Sequence, residues 1–134
     1  MARLLPLIAA LWAGALLGGS FIAAPAKFTV DSLSLPQLLA VGQAQFQALA
    51  AAELVLAVLL IGLALWQRPR GWWLVLIPVV LFAIQQLGIY PILSARTEAR
   101  IAREAVGESH LHLVYVGVEL MKFLTLLLCS IRAK

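Results

Sequence analysis

Charge is what this sequence has least of. Only 12% of its 134 residues are Asp, Glu, Lys or Arg, against about a quarter in soluble domains. A water-facing shell cannot be built from so few charges, so an ordinary soluble fold is excluded. Cysteine is nearly absent as well. The single Cys129 rules out an internal disulfide and any multi-cysteine metal cage, and its apolar surroundings read as those of an inert thiol. Catalytic patterns are also lacking. Ser20, Ser32, Ser34, Ser94, Ser109 and Ser130 have no His/Asp partner in a recognised arrangement. There is no phosphate-binding glycine loop and no His-Glu-x-x-His. The net charge of +4 does not make a basic patch, because the basic residues punctuate the ends of apolar runs. Nucleic-acid binding is excluded on that distribution.

What is abundant is apolar surface. Hydrophobic residues make up 63% of the chain and the mean hydropathy is +1.01. Four stretches carry it: Leu4 to Ala26, Leu35 to Trp66, Gly71 to Ala95 and Leu111 to Ile131. Each reaches the roughly 20 residues that a helix needs to cross a bilayer. In lipid the backbone must satisfy its own hydrogen bonds, so such stretches become helices. None alternates in polarity as a barrel strand would. The expected fold is all-α, a single domain forming an integral membrane four-helix bundle with helices over about 4–26, 38–66, 71–93 and 111–131. There is no room for a second domain of normal size.

The first stretch has features of a secretory signal: Arg3, a long apolar run and Ala23-Ala24-Pro25-Ala26. Its run is longer than a signal core, so a retained helix is expected. Ser34-Leu35-Pro36-Gln37 fits a capping box with proline in the first turn. A helix from there to Trp66 would be about 48 Å long, which implies strong tilt or a bend near Gly42. The hairpin Trp66-Gln67-Arg68-Pro69-Arg70-Gly71-Trp72-Trp73 sets three tryptophans around two arginines, an interfacial signature. Between Ser94 and His110, Arg96, Arg100 and Arg103 recur at helical spacing with Glu98 and Glu104 among them. A separate surface helix ended by Gly107 is expected, its basic face reaching headgroups, with an anionic lipid or anionic substrate as the alternative. Placing the termini and the Arg68/Arg70 hairpin on one side gathers Arg3, Arg68, Arg70, Arg132 and Lys134, against Lys27, Arg96, Arg100 and Arg103. By the positive-inside rule both termini are expected to be cytoplasmic.

Polar residues inside apolar spans are costly and therefore informative. In the last span His112, Tyr115, Glu119 and Lys122 fall within an arc of about 80°. Val114, Met121, Leu124 and Leu128 lie opposite. The polar stripe should face protein and the apolar one lipid. Lys122 lies roughly 16 Å along its helix, near mid-bilayer. Glu53 lies near the middle of the second span with Ala50, Ala57 and Ala64 on its face, and the third contributes Gln85 and Gln86. Pro78, on the Gln85 face, frees the carbonyl of Leu74. Glu53, Lys122 and Glu119 can form a carboxylate–ammonium–carboxylate cluster. It has one acid more than it has bases, so one carboxyl must hold a proton or find a further donor such as Tyr115 or Gln85. The cluster reads either as a proton, ion or substrate site or as a polar clasp that fixes helix register. In the first span Ala10, Gly14 and Gly18 share a face that suits close packing on another helix of this chain or on a second copy.

His110-Leu111-His112 invites a metal, but on one helix residues i and i+2 point about 160° apart. No metal and no cofactor is expected; the alternative is a haem or quinone held by His112, Tyr115 and Lys122.

Two segments carry a resemblance. One is Leu11-Trp12-Ala13-Gly14 followed by Gly18-Gly19-Ser20-Phe21-Ile22-Ala23-Ala24-Pro25-Ala26-Lys27-Phe28; the other runs from Leu111-His112-Leu113-Val114-Tyr115 to Glu119-Leu120-Met121-Lys122-Phe123. Both resemble small uncharacterised bacterial four-span membrane proteins, of domain-of-unknown-function families near the copper-resistance-D group. The resemblance implies a four-helix membrane fold, in the inner membrane of a bacterium, and brings no established activity. Copper transport does not carry over, since two Met and two His are too few for a copper permease. Three functions follow as expectations: a small transporter or accessory membrane subunit, a haem or quinone redox protein, or a structural assembly helper. Four helices are few for a solitary carrier, so a homo-oligomer or a larger membrane complex is expected.

Overall fold

A computed structural model describes residues 4–107 and 109–132; Arg3 and Lys134, used above to judge sidedness, lie outside them. Four helices are long and apolar enough to cross a membrane: α1 (Leu4–Thr29), α2 (Leu35–Gln67), α3 (Trp72–Ile101) and α4 (Leu111–Arg132). They alternate in direction. Leu5, Trp72, Cys129 and Arg132 gather at one end of the bundle, while Lys27, Phe46 and His112 gather at the other. Each helix packs on its neighbours in the chain, and α1 closes the ring against α4, its most extensive partner.

The second helix starts where its capping signals place it. Ser34 Oγ accepts from the Gln37 N–H, and Gln37 Oε1 accepts from the Ser34 N–H at 2.8 Å. From there α2 runs unbroken through Gly42 for 33 residues, about 50 Å. It ends as Arg68 turns left-handed and its N–H reaches the Ala64 carbonyl. Gly71, at φ +80°, completes the hairpin in a region that favours glycine.

The expected separate surface helix does not form. Tyr90–Ile101 is the last part of α3. Proline at position 91 sits at the start of this segment, just after a π turn over Gln85–Ile89, where its missing N–H costs little. Nothing between there and Ile101 breaks the helix, and falling hydropathy alone does not. The helix stops well before Gly107, with Arg103 in the left-handed region at φ 59°.

Inside, Leu5, Ala9, Trp12, Ala13 and Leu16 of α1 pack with Ala57, Leu60 and Ala64 of α2, Val75 and Phe82 of α3, and Leu126 and Cys129 of α4. Trp12 crosses the bundle to stand edge-on to Phe82, with ring centroids 6.0 Å apart. The outside is apolar too: Leu54, Val58, Leu87, Leu113 and Ile131 are all more than half exposed.

Of the two partners expected for Ala10, Gly14 and Gly18, another helix of this chain is not the one they meet. Ala10, Gly14 and Gly18 point outward, and a Cβ added at Gly14 or Gly18 would meet nothing within 4 Å. The small pair that admits a neighbouring helix is Ala9 and Ala13, fully or almost fully buried. The choice follows from Trp12, whose ring must enter the core and takes its helical neighbours Ala9 and Ala13 with it.

Candidate functional site

Four polar side chains are sealed in the middle of this apolar bundle: Glu53 and Glu119 at 1% exposure, Gln85 and Lys122 at 0%. Alpha-helical geometry brings them together. On α4 the stripe expected to face inward does so through Tyr115, Glu119 and Lys122. Val114, Met121, Leu124 and Leu128, opposite, are 47–56% exposed. On α2, Glu53 stands in a buried row with Ala57, Leu60 and Ala64.

Lys122 is the hub. Its ammonium lies 2.5 Å from Glu53 Oε2 and 3.4 Å from Glu119 Oε1, and it donates to Gln85 Oε1 at 2.6 Å. An ammonium has three N–H bonds, so all three have an acceptor. The face of Phe82 lies 5.3 Å away and adds a cation–π contact. Gln85 is equally committed, its amide donating to Glu119 Oε2 at 2.7 Å and to the Tyr115 carbonyl at 3.3 Å. The surplus acid expected from the sequence is met by donors. Trp12 Nε1 donates to Glu53 Oε2 at 2.8 Å, and Ser20 Oγ donates to Glu119 Oε1 at 3.3 Å.

Two π turns serve this arrangement. One, Leu17–Ala23 in α1, carries Ser20; the other, Gln85–Ile89 in α3, begins at Gln85. A turn of i→i+5 bonds widens the helix and re-aims its side chains. In α1 the Gly19 carbonyl accepts both the Ala24 N–H of this turn and Gln45 Nε2, the latter at 2.6 Å. Both re-aimed side chains end on the Glu119 carboxylate.

Other expected members fall outside the network. Gln86, one step round the helix from Gln85, is half-buried and bonds to none of it. Tyr115 joins through its carbonyl, while its ring stands edge-on to Phe46 at 5.8 Å. His112 is exposed at the start of α4. The helix begins at Leu111, so His110 lies before it and His112 within it. Arg96 donates to the Gly107 carbonyl, Arg100 is exposed, and Arg103 sits in the exposed turn after α3.

Two recessed cavities open at the end that carries Lys27 and His112, beside a wider and shallower depression over Pro91, Ala99 and Gly107. The larger, of about 370 Å³, runs between α1 and α4 past Phe21, Phe28 and Phe46 and touches Ser20 and Glu119. Lys27 borders it. Its ammonium sits 5.5 Å from the Phe28 ring and 5.6 Å from the Phe46 ring, over Gly42, in the place a Cβ would fill. The smaller, of about 160 Å³, lies between α2, α3 and α4. Phe46, His112 and Tyr115 wall both.

The chain was compared with family models, curated proteins and solved structures. None matches.

Trp12, Ser20 and Lys27 were not singled out as site residues by their sequence. Trp12 carried a signal: tryptophans of spanning helices gather at the interfaces, and this one lies eight residues, about 12 Å, into its helix. A tryptophan at that depth needs an acceptor for its N–H. Ser20 offered no comparable signal, since its aim depends on the π turn.

Proposed function

We propose that this chain is a non-enzymatic integral membrane protein of the bacterial inner membrane, a small transporter or the accessory subunit of one, in which Glu119 is the group that meets the substrate. The shell of exposed leucine, valine and isoleucine supports the membrane setting, since such a surface has no stable place in water. The arginine-bearing hairpin at the end that holds Leu5 and Arg132 supports a cytoplasmic position for both termini.

One observation carries the choice of Glu119. Of the four sealed polar side chains, it is the one that borders the cavity entered past Lys27. Glu53, Lys122 and Gln85 form its support: they fix where the carboxylate sits and how its charge is balanced. A substrate that reaches it must offer a proton or a hydrogen-bond donor, because an ionised carboxylate only accepts. The Phe21, Phe28, Phe46 and Tyr115 rings in its walls favour a species with an apolar body.

The test has two arms. In a Cys129→Ser background, Val116→Cys borders the cavity and should react with a membrane-impermeant maleimide from one face of sealed vesicles only. Glu119→Gln keeps an acceptor for Lys122, so it should fold; it should fail to restore whatever a chromosomal deletion of the protein abolishes. A Glu119→Gln protein that folds and restores everything the wild type restores would end this reading.

The second reading, a quinone-type ligand in the same cavity, is favoured by His112 and Tyr115 lining it together. Lys122 has no part in that version, since it is sealed and its N–H groups are all engaged. Organic extraction of the purified protein followed by an ultraviolet spectrum decides it: a bound quinone absorbs, and an empty cavity gives nothing.

A further inference from the structure

The smaller cavity holds a different chemistry from the larger. Arg96 and Arg100, four residues apart on the last part of α3, both line it. His112 and Ser109 line it from α4 and the segment before it. Among the described residues no carboxylate lines it and neither arginine pairs with an acid. The nearby Glu98 accepts instead from Gln43 at 3.1 Å. Arg96 spends part of its guanidinium on the Gly107 carbonyl, which ties the segment before α4 to the cavity rim. Deeper in, Tyr90 lines the same space, and its hydroxyl is buried with no hydrogen-bond partner.

The Tyr90 hydroxyl itself is sealed from this space; the charged groups that line it among the described residues, Arg96 and Arg100, are both cationic. We infer that this cavity binds a phosphate-type oxyanion, with Arg96 and Arg100 of α3 and Ser109, from the segment before α4, as its donors. Donors that converge from two sides suit the several oxygens of a phosphate, and guanidinium forks match its geometry. Leu39, Leu93 and Phe46 supply an apolar wall beside them. Such a wall suits the glycerol and first methylenes of a phospholipid, and basic pockets between spanning helices take lipid headgroups. A soluble phosphate would use the donors and leave the wall unused. This site is separate from Glu119 and stands or falls independently of the transport reading.

The experiment uses the full chain, delipidated in a non-ionic maltoside. Its Tm is followed on titration with phosphatidylglycerol, with diacylglycerol of the same chains, and with inorganic phosphate. Phosphatidylglycerol should raise Tm saturably and diacylglycerol should not. Arg100→Gln should weaken the apparent affinity about twentyfold, within the usual range for hydrogen bonds to a charged group, and Tyr90→Phe should leave it unchanged, because that hydroxyl is sealed from the cavity. Neither change threatens the fold: Arg100 is exposed, and Tyr90→Phe removes a hydroxyl that has no partner. An equal response to inorganic phosphate supports the oxyanion site and assigns it to soluble phosphate. The inference is overturned if diacylglycerol acts as phosphatidylglycerol does, if neither phosphate source shifts Tm, or if Arg100→Gln binds as the wild type does.

Discussion

Removing the ammonium of Lys122 should be the most damaging polar substitution in this chain. In Lys122→Met the Glu53 and Glu119 carboxylates are left in one sealed pocket with no counter-charge. The remaining donors can be counted. Glu53 keeps Trp12, Glu119 keeps Ser20 and Gln85, and Gln85 Oε1 loses its donor. Breaking a buried pair by deleting one partner costs about 3–5 kcal/mol, and the second acid places this case at the upper end. Glu53→Gln combined with Lys122→Met removes one negative charge along with the positive one. The surviving acid, Glu119, already has two neutral donors. The double variant should therefore regain about 2 kcal/mol of the loss, a coupling within the usual range for residues in contact. Equilibrium unfolding in mixed micelles of maltoside and dodecyl sulfate reads both numbers. A Lys122→Met protein within about 1 kcal/mol of the wild type, or a double variant no more stable than the single one, would refute the counter-charge argument.

Trp12→Phe deletes the indole donor to Glu53 and should cost about 2–3 kcal/mol in the same assay; it should also remove the one tryptophan emission shielded from aqueous quenchers, since Trp66, Trp72 and Trp73 are exposed at the hairpin. Gly14→Ala should be neutral or stabilise α1 by up to about 1 kcal/mol, because the new methyl meets nothing; a loss above that would show that the outward face is packed against something. Ser34→Ala removes the capping acceptor of α2 and should cost about 1 kcal/mol, with faster amide exchange confined to the first turn.

The span count and the inward stripe of α4 were legible because two simple rules cover them: a bilayer's thickness, and 100° per residue. Glu53 and Lys122 meet as the polarity argument requires, since a buried charge restricts a helix's rotation more strongly than any apolar contact. Gly14 and Gly18 left their partner open because a small-residue motif says only that close approach is allowed; within the chain Ala9 and Ala13 serve that purpose, and the outward face stays available to a second copy. What decided between the faces was Trp12, whose large ring determines which way the helix turns. The surface helix misled. Polarity marks where a chain leaves an apolar medium, whereas a helix continues until something interrupts its hydrogen bonds, and nothing does before Ile101. The aim of Ser20 was not legible at all, because the widened turn that sets it has no signature in residue type.

The π turns in α1 and α3 bear on how this chain tolerates change in length. An i→i+5 turn takes up roughly one residue more than an α turn, so each behaves as a stored insertion. Deleting one residue within Leu17–Ala23 would return α1 to regular geometry with little rotation of what lies beyond, whereas a deletion in a regular stretch rotates everything past it by about 100°. Leu5 to Leu16 and Lys27 would keep their seats, while Ser20 would lose its aim at Glu119. Such a protein would still fold around its Glu53–Lys122 pair yet lose a donor to Glu119. One-residue deletions at these two turns, unlike deletions elsewhere in the helices, should therefore be tolerated by the bundle while disturbing the contacts of Glu119.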